Sequence, residues 1–271
     1  AKAKAMLFPM CEKTAANADD PWTETVMKDA PQPVYTFSAK SDSASLTARD
    51  IRLAPSGVRF CALEEGELVR VKTNLPGQFS VYNALAAISC ARLLGVSLAD
   101  AAAALETAHG AKGRVEPVPT DGDYSIFIDY AVTPDAIENV LTTLRGIAPK
   151  RLVMLFGAGG DRDRKKRPIM GKLSADIADF VIVTSDNPRT EDPMSIIEEI
   201  LPGVRAGKAP YKVICDRPEA IRWAIDHHEP GDVILLCGKG HEDYQIIGHE
   251  KIHMDEREIV ADYLAERAKR T

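Results

Sequence analysis

The stretch FVIVTSDNPRTEDP, residues 180–193, decides how the second half of this chain folds. A short apolar run ends abruptly in Asp186-Asn187-Pro188-Arg189, and a helix start follows at about Pro193. An uninterrupted apolar run of this length before an amphipathic helix is typical of a strand buried on both faces of a parallel sheet. The stretch therefore predicts one strand–helix unit of an α/β fold.

The same order of apolar run and helix recurs on both sides of this stretch. Helices are predicted near Thr133-Pro134-Asp135, over Arg167–Ala178, from Pro193 and from Pro218. A hairpin, YQIIGHEKIHMD, and a helix over Glu256–Lys269 capped by Asp255 close the chain. The alternation predicts a doubly wound, Rossmann-like, mostly parallel sheet over residues 113–271. The further predicted strands are YSIFIDYA (124–131), RLVMLFGA (151–158), YKVICD (211–216) and DVILLCGKG (232–240).

Residues 1–112 follow a different pattern. A strand in KTAANADDP, a strand in PVYTFSA and three strands joined at Pro55-Ser56-Gly57 and Glu65-Gly66 are predicted. Two alanine-rich helices follow, over Ser80–Leu94 and Ser97–Ala108, and Ser97 is the predicted cap of the second. Because these helices are too few to cover the strands, we expect the chain to begin inside a domain.

Composition narrows the class of protein. The 271 residues are 45% apolar and 27% charged, which is the balance of a soluble globular protein with one large or two ordinary domains. A net charge of −6 argues against nucleic acid as the main partner, and no apolar run is long enough to span a membrane. Five scattered cysteines, with no CxxC pair, favour reduced thiols in the cytoplasm.

Polar clusters follow four of the five predicted strands of the second half. In an open doubly wound sheet, ligands bind just outside the carboxyl ends of the strands, so we expect these clusters to face one crevice. The fifth strand ends in Asp216-Arg217, which is unremarkable for a helix start. The four clusters are Asp129-Tyr130, GAGGDRDRKKR (157–167), DNPR (186–189) and GKGHED (238–243).

The glycine-rich cluster is open to two interpretations. Arg162 occupies the third glycine position of a dinucleotide fingerprint, so nicotinamide dinucleotide binding is rejected. The first interpretation is a tight turn followed by solvated charges. The second is an anion site built from glycine amides and Arg162, Arg164 or Arg167.

The DNPR cluster suits a zwitterionic ligand. Arg189 offers a planar fork for a carboxylate, Asn187 can donate and accept, and Pro188 fixes the backbone. In GKGHED, Gly238 permits close approach and Glu242 can pair with an ammonium group. The alternative is an Asx-type turn that leaves Arg189 merely exposed.

Two common catalytic motifs are absent from the sequence. Lys239 precedes Gly240, not Ser or Thr, and no G-x-x-x-x-G-K-[ST] phosphate loop occurs in the chain. Gln245 breaks an H-E-x-x-H zinc motif. We therefore assign no metal ligand and no catalytic residue from the sequence.

Several motifs taken together resemble the Mur ligase family, and most closely its diaminopimelate-adding type. They are NADDP, LPGQFSVYNALAA, GRVEPV, IDYAVTPDAIENVL, FGAGGDRDRKKRPIMG, TSDNPRTEDP and GKGHEDYQ, in this order over nearly the whole chain. The resemblance implies an ATP- and Mg²⁺-dependent, amide-forming enzyme of peptidoglycan synthesis. Such an enzyme joins meso-diaminopimelate to a UDP-linked muramoyl dipeptide, UDP-N-acetylmuramoyl-L-alanyl-D-glutamate, through an acyl phosphate.

The resemblance also implies which residues bind each substrate. Asn17, Arg114 and Asp129 would lie on the nucleotide side, with Asn83 and Tyr130 as further candidates. In the diaminopimelate-binding set, Asp186 and Pro188 would complete the motif. That set is Arg162, Asp186, Asn187, Pro188, Arg189, Gly238 and Glu242.

The sequence departs from the family pattern in three respects. Residues 1–112 resemble only the tail of the central ATPase domain, without its phosphate loop, and the UDP-binding domain is missing. Val132 stands where the family has His, and Ser80 stands where it has Asn. We therefore expect this chain alone to be inactive. Two alternatives stay open: lysine or another diamine as the added group, and a non-catalytic amino-acid-binding remnant that needs a partner chain.

Overall fold

The computed structural model describes residues 2–270, which form two compact units. One unit ends at His109 and the other begins at Gly110. Each has its own apolar core, one built around the first sheet and one around the second.

The first unit contains a five-stranded sheet in the order β1-β2-β3-β4-β5. Strands β1 to β3 run parallel, and β3, β4 and β5 form an antiparallel meander. The predicted turns at Ser56 and Gly66 are confirmed. The strands are β1 (Ala15–Asn17), β2 (Tyr35–Ser38), β3 (Leu46–Ala54), β4 (Gly57–Glu64) and β5 (Glu67–Thr73).

Helices cover the apolar face of this sheet. Val81, Leu85 and Ile88 of the long helix are buried with Leu46 and Phe60 of the strands. Ser97 caps the next helix by accepting a hydrogen bond from the Asp100 amide, as predicted. The helices are α1 (Lys2–Ala5), a 3-10 turn (Phe8–Met10), α2 (Thr23–Val26), α3 (Gln78–Leu93) and α4 (Leu98–Glu106).

The second unit contains the predicted doubly wound sheet, in the order β10-β9-β8-β11-β7-β6. All neighbouring strands are parallel except β6, which runs antiparallel to β7 at one edge. The sequence analysis predicted no strand at β6, which has three residues and contains Pro117, a residue that a strand accommodates only at an edge. The strands are β6 (Glu116–Val118), β7 (Ser125–Asp129), β8 (Leu152–Phe156), β9 (Phe180–Val183), β10 (Tyr211–Val213) and β11 (Val233–Cys237).

Helices lie on both faces of this sheet. Helices α8 and α9 pack on the face that carries Ile126, Leu155 and Ile234, while α5, α6 and α7 pack side by side in a separate group. A two-stranded hairpin follows β11. These elements are α5 (Pro134–Arg145), α6 (Lys166–Ile177), α7 (Pro193–Ala206), α8 (Arg217–Asp226), β12 (Tyr244–Ile247), β13 (Glu250–His253) and α9 (Glu256–Ala268).

The capped helix starts and the buried strands explain why the alternation of strands and helices could be predicted from the sequence. Every residue of β8 and β11 is buried, as a central strand covered on both faces requires. Thr133, Asp192, Asp216 and Asp255 each accept a backbone amide at a helix start, so the predicted starts of α5, α7, α8 and α9 are confirmed.

The strand order decides where the polar clusters lie. The four strands that end in polar clusters, β9, β8, β11 and β7, are consecutive in the sheet, and the strand with the ordinary ending, β10, is at the edge. The four clusters therefore lie at the carboxyl ends of neighbouring strands, as a shared crevice requires.

The helices also bear on membrane insertion. Among residues 2–270, no helix combines the length and apolar character needed to cross a bilayer.

Candidate functional site

The DNPR loop is held in place by the β12–β13 hairpin. The Arg189 amide donates to Ile246 O at 3.0 Å, and the Gly248 amide donates to Arg189 O at 2.7 Å. Arg189 adopts a φ of 51°, in the left-handed region that is uncommon for a residue with a side chain. Such conformations persist where the surroundings impose them, and they cluster at ligand sites.

Asn187 is fully engaged within the protein. Its Oδ1 accepts from Lys239 Nζ at 2.7 Å and from the Ile246 amide at 2.9 Å. Its Nδ2 donates to Glu242 Oε2 at 2.9 Å. The amide was expected to contact a ligand, but in this structure it joins the β9 exit to the β11 exit and to the hairpin.

Lys239 lies at the centre of the cluster, and the sequence analysis missed its role. Its side chain is fully buried, and Nζ lies 3.2 Å from Glu242 Oε2 and 3.5 Å from Asp186 Oδ1. Burial lowers the pKa of Lys239, while Asp186 and Glu242 oppose that shift. A lysine between Gly238 and Gly240 was the available signal, since glycines let the backbone turn such a side chain inward.

Asp186 supplies the second carboxylate of the cluster. It is 5% exposed, and its Oδ1 makes no hydrogen bond within residues 2–270. A Cβ at Gly238 would lie 3.7 Å from Asp186 Oδ2, so the carboxylate packs beside the backbone of Gly238. Asp186, Glu242 and Lys239 together carry two negative charges and one positive charge.

Two cationic side chains, those of Arg162 and Arg189, lie beside the glycine-rich loop after β8. Arg189 donates from Nη1 to Gly160 O at 2.7 Å, and its other guanidinium nitrogens donate to no atom of the described chain. A Cβ at Gly159 would lie 2.9 Å from Arg189 Nη1 and 3.7 Å from Arg162 Cγ, so both arginine side chains pass close to Gly159. Arg162 is exposed, with one hydrogen bond to Asp161 O at 3.2 Å.

The glycines of the GAGG turn allow two loops to touch. A Cβ at Gly157 would lie 2.4 Å from Thr184 O, and one at Gly160 would lie 1.9 Å from Pro188 O. The Gly160 amide donates to Asn187 O at 2.9 Å. Close packing of the β8 and β9 exits therefore explains these glycines, and the Gly160 amide is not available to an anion.

The alternative that placed Arg164 or Arg167 in an anion site is wrong. Arg167 is fully buried and pairs with Glu191 and Glu199 at 2.8 Å each. Arg164 also pairs with Glu199. Burial closes Arg167 to a ligand, whereas Arg164 is 62% exposed with its charge paired to a carboxylate. Of the three arginines, Arg162 is the one with no carboxylate partner within residues 2–270.

Asn17 lies beside a concave pocket in the first unit. Its Oδ1 accepts from the Asp19 amide at 3.0 Å, which leaves Nδ2 to donate outward. The pocket holds about 390 Å³ and is lined by Phe8, Trp22 and Met27 as well as Asn17. Its lining also includes polar and charged side chains, those of Lys4, Asp20 and Thr23. Aromatic and apolar walls with polar groups among them can take a flat heteroaromatic ring.

Arg114 and Asp129 lie in the second unit. Asp129 is buried, and its two carboxylate oxygens accept from the Val115 and Ala131 amides at 2.8 Å each. Burial raises the pKa of Asp129, and the two amides oppose that shift. Arg114 is exposed and lies 5.9 Å from the centre of the Tyr130 ring. Asp129 thus fixes the loop that presents Arg114.

Val132 brings no polar side chain to the carboxyl ends of the strands. Val132 offers its backbone oxygen, which accepts from Lys166 Nζ at 2.8 Å. Across residues 2–270, no group of three or more His, Cys, Asp or Glu side chains is arranged to hold a metal ion.

Comparison with known proteins places both units in one family. The description "Mur ligase middle domain" matches residues 1–91, and "Mur ligase, glutamate ligase domain" matches residues 113–240. A curated relative from Caldanaerobacter subterraneus, named UDP-N-acetylmuramoyl-L-alanyl-D-glutamate–2,6-diaminopimelate ligase, is 46% identical over 270 residues. That match covers 99% of this chain and 56% of the relative.

Solved structures agree with these matches. A structure of a ligase with the same name is 34% identical, with a TM-score of 0.79, and the match covers 98% of this chain and 56% of that one. The MurF ligase of Thermotoga maritima, in complex with ADP, is 17% identical with a TM-score of 0.63, and shares the fold. That match covers 100% of this chain and 58% of the MurF chain. The chain therefore spans about half the length of the relatives it matches.

Proposed function

This chain belongs to the Mur ligase family, and from that premise we propose that the unit beginning at Gly110 binds meso-diaminopimelate. The whole protein would be an ATP-dependent ligase that adds this amino acid to UDP-N-acetylmuramoyl-L-alanyl-D-glutamate in the cytoplasm. The observation that carries the proposal is that the loops after neighbouring strands bring charges of both signs to one end of the sheet. Arg162 and Arg189 pass close to Gly159, and Asp186 and Glu242 share the ammonium of Lys239.

Diaminopimelate fits this arrangement because both of its ends are zwitterions. One amine reacts, and the distal end must be held by its carboxylate and its ammonium. The free nitrogens of Arg189 can take the carboxylate in a bidentate, charge-assisted pair, with Arg162 beside it. The ammonium then meets the surplus negative charge of Asp186 and Glu242. Lysine lacks the distal carboxylate, so it would leave Arg162 and Arg189 facing each other unpaired.

The residues present fit part of ATP. In the first unit, the pocket at Asn17 would take the adenine ring. In the second unit, considered by itself, Arg114 is an exposed cation that would suit a phosphate. ATP would supply the phosphoryl group that activates the muramoyl-dipeptide carboxylate. The chain contains no phosphate loop and no clustered ligands for Mg²⁺ among its described residues, so no phosphoryl-transfer step is assigned to it. Its own contribution is to bind and orient the incoming amine.

A binding comparison tests the proposal. Calorimetry would measure the affinity of this chain for meso-diaminopimelate and for lysine, with Arg189→Ala alongside. A lost charged hydrogen bond costs roughly 1.5–3 kcal/mol, so we expect a preference for diaminopimelate of about 10- to 150-fold. Arg189→Ala should abolish most of that preference.

The matched control is Arg205→Ala. Arg205 is an exposed arginine on α7 whose Nε donates to the Tyr211 hydroxyl, away from the crevice. It should leave both affinities unchanged. Equal binding of lysine and diaminopimelate by the unmutated chain would contradict the proposal and favour another diamine.

A further inference from the structure

We propose that Lys239 is the positioning residue of the candidate amino-acid site. Its buried ammonium fixes Asn187 and Glu242 in one arrangement and leaves a single surplus negative charge for the ligand ammonium. The identity of the ligand rests on the proposed function, whereas the arrangement itself does not. Lys239 does not touch the crevice, because its side chain is fully buried.

The backbone around Lys239 is built to turn its side chain inward. Gly238 and Gly240 have φ values of 113° and 55°, which side-chain-bearing residues rarely adopt. The Gly238 amide donates to Asp129 O at 2.9 Å, and Arg257 donates to Gly240 O at 2.9 Å. The loop is thus anchored on both sides of the lysine.

Lys239 also decides which way the Asn187 amide points. Two donors, Lys239 Nζ and the Ile246 amide, meet at Asn187 Oδ1, and only an oxygen can accept from both. Nδ2 must then face Glu242 Oε2, where it donates. Without the ammonium, one of these two constraints on the amide is lost, and Glu242 loses the one cation that pairs with it within residues 2–270.

The charges around Lys239 explain why a lysine, and not an apolar residue, occupies this buried position. Asp186 and Glu242 lie within 3.5 Å of Nζ, and the Tyr244 ring centre lies 5.5 Å away. Arg217, the other buried cation nearby, is occupied by Glu256 and by Cys237 O. Removing Lys239 would leave two carboxylates together with no counter-charge of their own, which is unfavourable in a buried site.

The arrangement is tested first without any ligand. In NMR spectra of this chain, the Asn187 side-chain amide protons should exchange with solvent at least about tenfold more slowly than those of Asn139, which is exposed on α5. In Lys239→Met, which keeps the length of the side chain but removes the charge, that protection should be lost. If Asn187 in the unmutated chain exchanges as fast as Asn139, the proposal is overturned whether or not the variant folds.

The second measurement is diaminopimelate affinity by calorimetry. Lys239→Met should weaken binding by about 10- to 150-fold. The control is Lys172→Met, because Lys172 pairs with Asp176 on α6 and contacts neither Asn187 nor Glu242. It should change affinity by no more than about twofold and should leave the Asn187 signal in place.

The outcomes separate this inference from the proposed function. Loss of Asn187 protection together with weaker binding supports the positioning role, and retained protection or retained affinity in Lys239→Met overturns it. If the unmutated chain protects Asn187 but binds no diaminopimelate, the proposed function fails while the arrangement around Lys239 stands.

Discussion

At the scale of single residues, Gly160 sets the spacing between the two loops of the site. A Cβ there would lie 1.9 Å from Pro188 O, which is backbone and cannot swing aside. We expect Gly160→Ala to force the DNPR loop away and to lower the free energy of unfolding by about 1–3 kcal/mol. Chemical denaturation of the purified chain measures this.

The control for that change is Gly146→Ala. The nearest atom to a Cβ at Gly146 is Thr143 O at 3.4 Å, an ordinary contact, and its φ of −66° suits alanine. This variant should be as stable as the unmutated chain or slightly more so. Equal losses at Gly160 and Gly146 would show that the close approach of the two loops has no energetic importance.

Sequence reasoning found single charged side chains more readily than pairings between distant residues. Arg162 and Arg189 were singled out by charge, and both pass close to Gly159. Lys239 was considered only as a phosphate-loop lysine, and its partner Asn187 lies 52 residues away in the chain. Arg167 was misjudged because its neutralising carboxylates lie on the segment after β9, and spacing alone cannot reveal such a pairing.

At the scale of elements, the β12–β13 hairpin holds the DNPR loop in place by hydrogen bonds to Arg189. Its two-residue turn places Gly248 at φ 61°, which the tight turn requires. No atom lies within 4 Å of a Cβ built there, so Gly248→Ala adds backbone strain without a clash. We expect faster hydrogen exchange at the Arg189 and Ile246 amides, because the hairpin opens more often.

A turn in the other unit provides the comparison for that experiment. Gly66 has a φ of 86°, and a Cβ built there also has open space around it. Gly66→Ala should cause similar strain between β4 and β5 and leave exchange at Arg189 unchanged. If both variants change hydrogen exchange at the Arg189 amide equally, the hairpin does not hold Arg189 in place.

Elements were more predictable than their contacts. The alternation of buried strands and capped helices was visible in the sequence because Thr133, Asp192, Asp216 and Asp255 mark helix starts by local hydrogen bonds. Strand β6 was not predicted because an edge strand of three residues is too short to show a periodic pattern of buried residues. The hairpin was predicted, but its pairing with Arg189 is a long-range contact that no local pattern encodes.

At the scale of the whole molecule, glutamates paired with arginines make the free energy of unfolding depend on pH in the acidic range. The hydrogen bond from Arg167 lowers the pKa of Glu191 to about 2, while those from Arg164 and Arg257 lower the pKa values of Glu199 and Glu116. Since an unfolded glutamate titrates near about 4.3, these groups stabilise the fold above that pH and lose the contribution as pH falls towards 2. The raised pKa of Asp129 acts in the opposite direction, but it is one group against three.

We therefore expect the free energy of unfolding to fall between about pH 4.5 and pH 2. In Glu191→Gln, the free energy of unfolding should fall less over this pH range, because glutamine does not titrate. Glu198→Gln, at an exposed position on α7, is the comparison and should leave the slope as it is. Denaturant titrations at a series of pH values would measure the effect, and parallel curves for all three proteins would contradict it.

The position of β11 has a consequence for the order of folding. This strand lies between β7 and β8 in the sheet, yet it follows both in the chain by many residues. During synthesis, β7 and β8 are made before β11, so the position between them in the sheet stays empty until β11 is made. The residues after β11 include Gly238 and Lys239. Long-range pairings of this kind form late and slowly. A nascent chain thus cannot complete the candidate amino-acid site until β11 has filled the sheet and the hairpin behind it has paired with Asn187 and Arg189. Ligand capture would therefore report that synthesis has passed the hairpin.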